Sequence, residues 1–121
     1  MSQPGGPVLK LRLATAGGEW IGPGKADLLQ HIAETGSIAA AGRRMGMSYK
    51  RAWGLVETLN AMFAGPLVVA SRGGAGRGGA ELTDDGAEIL RLYRVMQDKA
   101  EVALEEEVLA IARRVVEPKR K

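Results

Sequence analysis

Residues 8–15, VLKLRLAT, alternate apolar and basic side chains. A period of two predicts a half-buried strand with Lys10 and Arg12 together on its wet face. Gly17 and Gly18 form a turn signal, Trp20 and Ile21 can pair back briefly, and Gly22, Pro23 and Gly24 break the chain before the period changes. Over residues 25–35 the apolar positions Leu28, Leu29, Ile32 and Ala33 fall at helical spacing, and Gly36 stands where a left-handed cap ends a helix. Ser37 can cap a short helix over 38–45. Gly46 and Met47 then interrupt it, and Ser48 offers a cap for a third helix over 49–63. Ala52, Leu55, Val56, Leu59, Met62 and Phe63 form the stripe of that third helix at steps of three and four.

Gly65 and Pro66 stop the third helix, and residues 67–71 read as a strand. The run RGGAGRGG over 72–79 is too glycine-rich for a regular element. With a second short strand over 80–82 the unit predicts a β-hairpin with a long flexible tip. Thr83 caps a long helix whose first turn carries Asp84 and Asp85 against the positive end of the helix dipole. Its stripe, Ile89, Tyr93, Met96, Ala100, Leu104, Val108, Ile111 and Val115, continues for more than 25 residues toward Pro118. So small a domain cannot cover a stripe of that length. Either its far end packs back on the chain itself or a second helix covers it, and a symmetric dimer is the simplest supplier. The domain organisation expected is a disordered N-terminus over 1–7, a compact unit over 8–83, a long dimerisation helix over 84–116 and a disordered basic tail over 117–121.

Composition narrows the chemistry. The chain has 121 residues, 45% apolar and 26% charged, which fits one soluble globular domain. It contains no cysteine, so disulfides, thiol nucleophiles and thiolate metal sites are excluded. The one histidine, His31, reads as a surface or partly buried member of the first helix and has no second ligand spaced around it. No constellation supports an enzyme, and no cofactor or metal is expected. No apolar run is long enough to span a bilayer and MSQPGG is no signal peptide, so no membrane partner and a cytoplasmic location are expected.

The net charge of +3 conceals an asymmetry. Residues 1–80 hold nine basic and four acidic side chains, whereas residues 81–121 hold eight and ten. Four of the early cations fall between Arg43 and Arg51, and Arg72 and Arg77 sit in the glycine-rich tip. Such clustering favours an anionic partner, nucleic acid first.

The spacing around these cations gives them a frame. A helix-turn-helix needs a small residue at the crossing of its helices, a turn glycine and apolar positions that hold the second helix to the first. Gly42, Gly46, and Ala41, Met45, Met47, Ala52 and Leu55 meet those needs, although αα-hairpins without a DNA role share them. Ser48, Tyr49, Lys50 and Arg51 put hydrogen-bond donors at the start of the second helix, the end that enters the major groove in this motif. Lys50 suits a guanine edge or a phosphate, and Ser48 a phosphate. Trp53, one position off the stripe, fits either a thymine methyl or the rim of the core. Arg43 and Arg44 would meet phosphates where the preceding helix crosses the duplex, and Arg51 has the same option. The fold class expected is therefore mainly α with a small β-hairpin: a winged helix-turn-helix with a long C-terminal dimerisation helix. In the tip, Gly74, Gly76 and Gly79 spell GxGxxG, but a strand pattern follows rather than a helix, which argues against a dinucleotide site.

The stretch GSIAAAGRRMGMSYKRAW, residues 36–53, resembles the N-terminal DNA-binding domain of the ModE family of molybdate-responsive transcriptional regulators, and more distantly the LysR-type helix-turn-helix. The glycine-rich hairpin and the LTxxG entry to the last helix, residues 82–86, follow in the family order, so the likeness covers about residues 8–110. It implies a homodimer on an inverted-repeat operator, with recognition helix and wing both on double-stranded DNA and the long helix as the dimer contact. ModE regulators carry molybdate-binding folds after this domain, for which the chain has no room before Lys121. No oxyanion site is then inherited: either the protein works as a bare DNA-binding dimer, or a separate effector-sensing protein is a partner, or the effector binds where the sequence does not advertise it. A competing expectation is a protein-interaction module, since nine acidic side chains lie between Glu81 and Glu107.

Overall fold

A computed structural model describes residues 9–71 and 79–116. The elements are β1 (Leu13–Ala14), β2 (Trp20–Ile21), α1 (Pro23–Thr35), α2 (Ile38–Arg44), α3 (Tyr49–Met62), β3 (Val68–Ala70), β4 (Ala80–Leu82), α4 (Asp84–Ala103) and α5 (Glu105–Ala112). The termini expected to be disordered and the hairpin tip with Arg72 and Arg77 lie outside the described residues.

β1 and β2 pair antiparallel, Leu13 opposite Ile21 and Ala14 opposite Trp20. The strand expected over 8–15 contracts to two paired residues, because a two-stranded ribbon gives its outer member no second neighbour. The alternation persists before the ladder: Leu9 and Leu11 are partly buried, while Lys10 and Arg12 are exposed. The Tyr93 hydroxyl donates to the Leu11 carbonyl and fastens this segment to α4. Burial pushes the Tyr93 phenol above its ordinary range.

α1 begins at Pro23, two residues before the expected start. Proline in a first turn lacks an N–H that would have had no helical acceptor there, so the Gly-Pro-Gly run starts the helix instead of delaying it. Ala26, Leu28, Leu29 and Ile32 are fully buried, whereas Ala33 is exposed: the apolar face is rotated toward Ala26. Gly36 ends α1 at φ 71°, its N–H donating to the Ile32 carbonyl at 2.8 Å. Ser37 Oγ accepts from Ala40 N–H at 3.0 Å and starts α2. α2 stops at Arg44, one residue early, and Gly46 at φ 69° reverses the chain. α3 likewise stops one residue short of Phe63, which is extended.

α2 and α3 cross at Gly42. A Cβ there would sit 3.1 Å from Ala52 Cβ and 3.4 Å from the Met47 carbonyl oxygen. Ala41 and Ala52 are fully buried at this crossing, and Met45, Met47 and Leu55 pack around it.

β3 and β4 pair antiparallel with Val68 opposite Leu82 and Ala70 opposite Ala80. Asn60 of α3 binds the root of this hairpin. Its Oδ1 accepts from Leu67 N–H at 2.8 Å and Val68 N–H at 3.0 Å, and its Nδ2 donates to the Val68 carbonyl at 3.0 Å. On the other strand, Ala80 N–H donates to the Gly36 carbonyl at 2.9 Å. The hairpin therefore hangs from the end of α3 and the corner between α1 and α2.

Thr83 starts α4. Its Oγ1 accepts from Gly86 N–H at 2.9 Å and donates to the Pro66 carbonyl at 2.7 Å. Gly86, Leu90 and Tyr93 form the buried face, so the stripe begins three residues before Ile89, with Gly86 against the Leu67 carbonyl. Arg94 and Asp27, 2.9 Å apart, join α4 to α1. The expected single long helix is interrupted at Leu104, φ −108° and ψ 11°. Glu101, Glu105, Glu106 and Glu107 crowd two turns, and like charges four apart disfavour a continuous helix. A new N-terminus at Glu105 sets three carboxylates against the positive end of the α5 dipole. From Val102 onward most apolar side chains face water: Val102 is 79% and Ile111 62% exposed, Leu104, Leu109, Val115 and Val116 are exposed as well, and only Val108 of the stripe stays half-buried.

Gly86 packs directly against the Leu67 main chain, and an added Cβ would overlap the Leu67 carbonyl oxygen. Gly86→Ala is expected to destabilise the fold by about 2–4 kcal/mol, read as a lowered midpoint in thermal or urea unfolding. A loss under about 0.5 kcal/mol would refute this packing.

Candidate nucleic-acid interface

The buried residues of α3, Ala52, Val56 and Leu59, lie on one side of the helix. At 100° per residue the opposite side carries Lys50, Gly54, the exposed Glu57 and Ala61, flanked by Trp53, with Tyr49 beyond it, on one edge and Arg51 and Thr58 on the other. Ser48 sets where this surface begins: its Oγ accepts from Arg51 N–H at 3.1 Å, closing the first turn. Ser48, Lys50, Arg51, Gly54, Leu55 and Thr58 border an open depression of about 450 Å³ along the outer side of α3.

The expected α3 residues Ser48, Tyr49, Lys50, Arg51 and Trp53 all belong to this exposed surface. Trp53, which fitted either rim or surface, is 44% exposed, and Tyr49 is 58% exposed. Arg43 and Arg44 are exposed at the end of α2, just before the turn. They differ in state. Arg44 Nη1 lies 2.9 Å from Glu34 Oε1 of α1, whereas Arg43, Lys50 and Arg51 have no ion-pair partner among the described residues. Glu34 is held below the usual carboxylate range, first by a hydrogen bond from the Gln30 amide at 3.0 Å and then by Arg44 and His31. His31 Nδ1 stands 3.6 Å from Glu34, beyond hydrogen-bond reach. An exposed pair such as Arg44 with Glu34 is weak, so a phosphate can compete for the guanidinium. Arg72 and Arg77 lie outside the described residues. The hairpin root below them is closed by Ser71 N–H donating to the Gly79 carbonyl at 3.0 Å.

Sequence reasoning missed Asn60, the side chain that ties the root of the hairpin to the outward-facing helix. A second basic group also went unrecognised. Trp20 of the N-terminal hairpin lies between the Arg12 guanidinium at 4.3 Å and the Lys25 Nζ at 4.7 Å from its ring centroid. Lys25 is buried and donates to the Trp20 carbonyl at 2.9 Å, so that cluster reads as a joint between β2 and α1. Among the described residues no group of three or more His, Asp or Glu side chains could hold a metal ion, and no helix is long and apolar enough to cross a membrane.

Two helices crossing at a glycine, an outward-facing second helix with a capped start, and a hairpin behind it define a winged helix-turn-helix. Residues 25–87 match the bacterial regulatory helix-turn-helix proteins of the lysR family, and the chain belongs to that family. It is 38% identical over 97 residues to the molybdenum-pterin-binding protein MopA of Rhodobacter capsulatus, covering 80% of this chain and 37% of that protein. It is 39% identical over 74 residues to the DNA-binding transcriptional dual regulator ModE of Escherichia coli (strain K12), covering 61% of this chain and 28% of that one. The chain thus spans about a third of the length of these relatives. In structure it is similar to the CbnR DNA-binding domain, solved as a complex with DNA: TM-score 0.57, 24% identity, covering 72% of this chain and 94% of that one. That likeness establishes the fold. The family is one of bacterial regulatory helix-turn-helix proteins.

The Ser48 cap holds the first turn of this surface. Ser48→Ala is expected to cost about 1 kcal/mol in thermal unfolding and to speed amide exchange at Arg51. Unchanged stability and exchange would show that the cap contributes nothing.

Proposed function

We propose that this chain binds double-stranded DNA sequence-specifically, as the DNA-reading part of a transcriptional regulator. α3 enters the major groove, with Ser48, Tyr49, Lys50, Arg51 and Trp53 reading it, while Arg43, Arg44, Arg72 and Arg77 hold phosphates. One observation carries the reading: the outward side of α3 presents Lys50 and Arg51 without carboxylate partners among the described residues, and Arg43 flanks it. The relatives' names add weight, since one is described as a DNA-binding transcriptional regulator.

The active form in this reading is a homodimer on an inverted repeat. The exposed apolar residues Val102, Leu104, Leu109, Ile111 and Val115 support it, because a second copy would remove them from water. A link to molybdate or other oxyanion metabolism is suggested by the name of one relative, a molybdenum-pterin-binding protein. An effector-sensing protein supplies the signal, and cytoplasmic location follows from the role.

The test is recovery of fragments from genomic DNA by the purified protein at physiological salt, followed by sequencing. Enrichment of an inverted repeat upstream of a few genes supports the reading. Weak, sequence-indifferent binding favours instead a protein-docking role for the acidic last helices. On the selected site, Lys50→Ala is expected to lower discrimination by about 1–3 kcal/mol. Arg77→Ala should weaken all duplexes alike and flatten the salt dependence by roughly one unit of slope. Unchanged affinity in both variants would refute the docking face. Isothermal calorimetry of the chain with molybdate is expected to show no saturable heat, and a stoichiometric binding isotherm would overturn the assignment of sensing to another protein.

A further inference from the structure

Four described glycines lie inside helices: two have a steric reason within the chain, and a third, Gly24, meets nothing within 4 Å but stands in the first turn of α1, beside Pro23, rather than in a helix interior. Gly42 and Gly86 are required by close contact with Ala52 and with the Leu67 carbonyl. Gly54 has neither reason. It sits in the middle of α3 with no left-handed φ, and a Cβ added there would meet nothing within 4 Å. Glycine is the least favourable residue short of proline in a helix interior, so alanine would strengthen α3 in the free protein at no steric cost.

Its position is as informative as its chemistry. Gly54 lies opposite the buried line of Ala52, Val56 and Leu59, on the line of α3 farthest from the core, one turn after Lys50. It also borders the depression lined by Ser48, Lys50, Arg51, Leu55 and Thr58. The centre of a groove-entering helix faces base-pair edges, whereas its flanks face the phosphate walls.

We infer that Gly54 is a close-approach residue, at which the α3 main chain lies against base-pair edges on the floor of the DNA major groove. This rests on the reading of α3 as the DNA-entering helix and adds to it a specificity-determining position that has no side chain. Any side chain at 54 lifts the helix from the floor and carries Lys50 away from the edges it reads. The depression then receives the groups that project from the floor, such as a thymine methyl, against Gly54 and Leu55.

Gly54→Ala and Gly54→Leu are compared with the unmodified chain on a duplex it has selected and on a random duplex. Gly54→Ala is expected to raise Tm by roughly 3–6 °C. Affinity for the selected duplex should fall at least about 5-fold with alanine and more than about 50-fold with leucine, while the random duplex changes less than about 2-fold. The salt slope should stay constant, because no phosphate contact is removed. Selected-site binding that is unchanged or tighter in both variants overturns the inference, as does a lowered Tm for Gly54→Ala. Equal losses on both duplexes with an altered salt slope also overturn it, since they would place a phosphate at this spot. Failure of the unmodified chain to bind any duplex overturns the DNA reading and this inference together. Loss of neither selection nor affinity on substitution overturns this one alone.

Discussion

The approach of α2 to α3 at Gly42 is the constraint on which the rest of the molecule depends. The gap left by a missing side chain is filled by Ala52, and a Cβ on Gly42 would crowd it at 3.1 Å. That distance sets how α3 leaves the body, and so which of its residues turn outward. Gly46 and Ser48 serve the same end: one reverses the chain at a φ closed to most residues, and the other starts α3 on a satisfied N–H. Asn60 then carries the geometry to the hairpin by satisfying three backbone groups at its root. α3 and the root of the hairpin are consequently tied together at their bases.

Much of this was legible in the chain because caps, turn glycines and apolar spacing are local signals. Ser37, Gly36, Gly46, Ser48 and Thr83 act where their chemistry suggests. Features made by contacts distant in sequence were not legible. Asn60 looks like one more polar residue on an amphipathic helix, and its partners are backbone groups, which leave no mark in composition. The pairing of Arg44 with Glu34 joins residues of two helices and cannot be read from either. The outer surface of α3 was readable residue by residue, except that Trp53 sits between stripe and surface, where periodicity cannot decide. Gly54 carried no visible signal until its surroundings were known to be empty.

The interruption at Leu104 had a local cause that spacing alone conceals. The apolar stripe runs on without a break, while Glu101 and Glu105, four residues apart across Leu104, add a small repulsion that spacing of apolar residues does not reveal. Burial ends earlier than the helix does: α4 is buried at Gly86, Leu90 and Tyr93, and already at Val102 an apolar side chain faces water.

The tie between Tyr93 and Leu11 bears on the order in which the molecule assembles. α1, α2 and α3 meet through neighbours along the chain, and β3 finds its Asn60 partner only eight residues away. The bond from Leu11 to Tyr93 spans 82 residues. Closing so long a loop costs chain entropy that only an existing helical body can offset. The tie from Leu11 thus depends on α4 being in place, whereas β2 is held to α1 locally, by Lys25 on the Trp20 carbonyl and by Ile21 in the core.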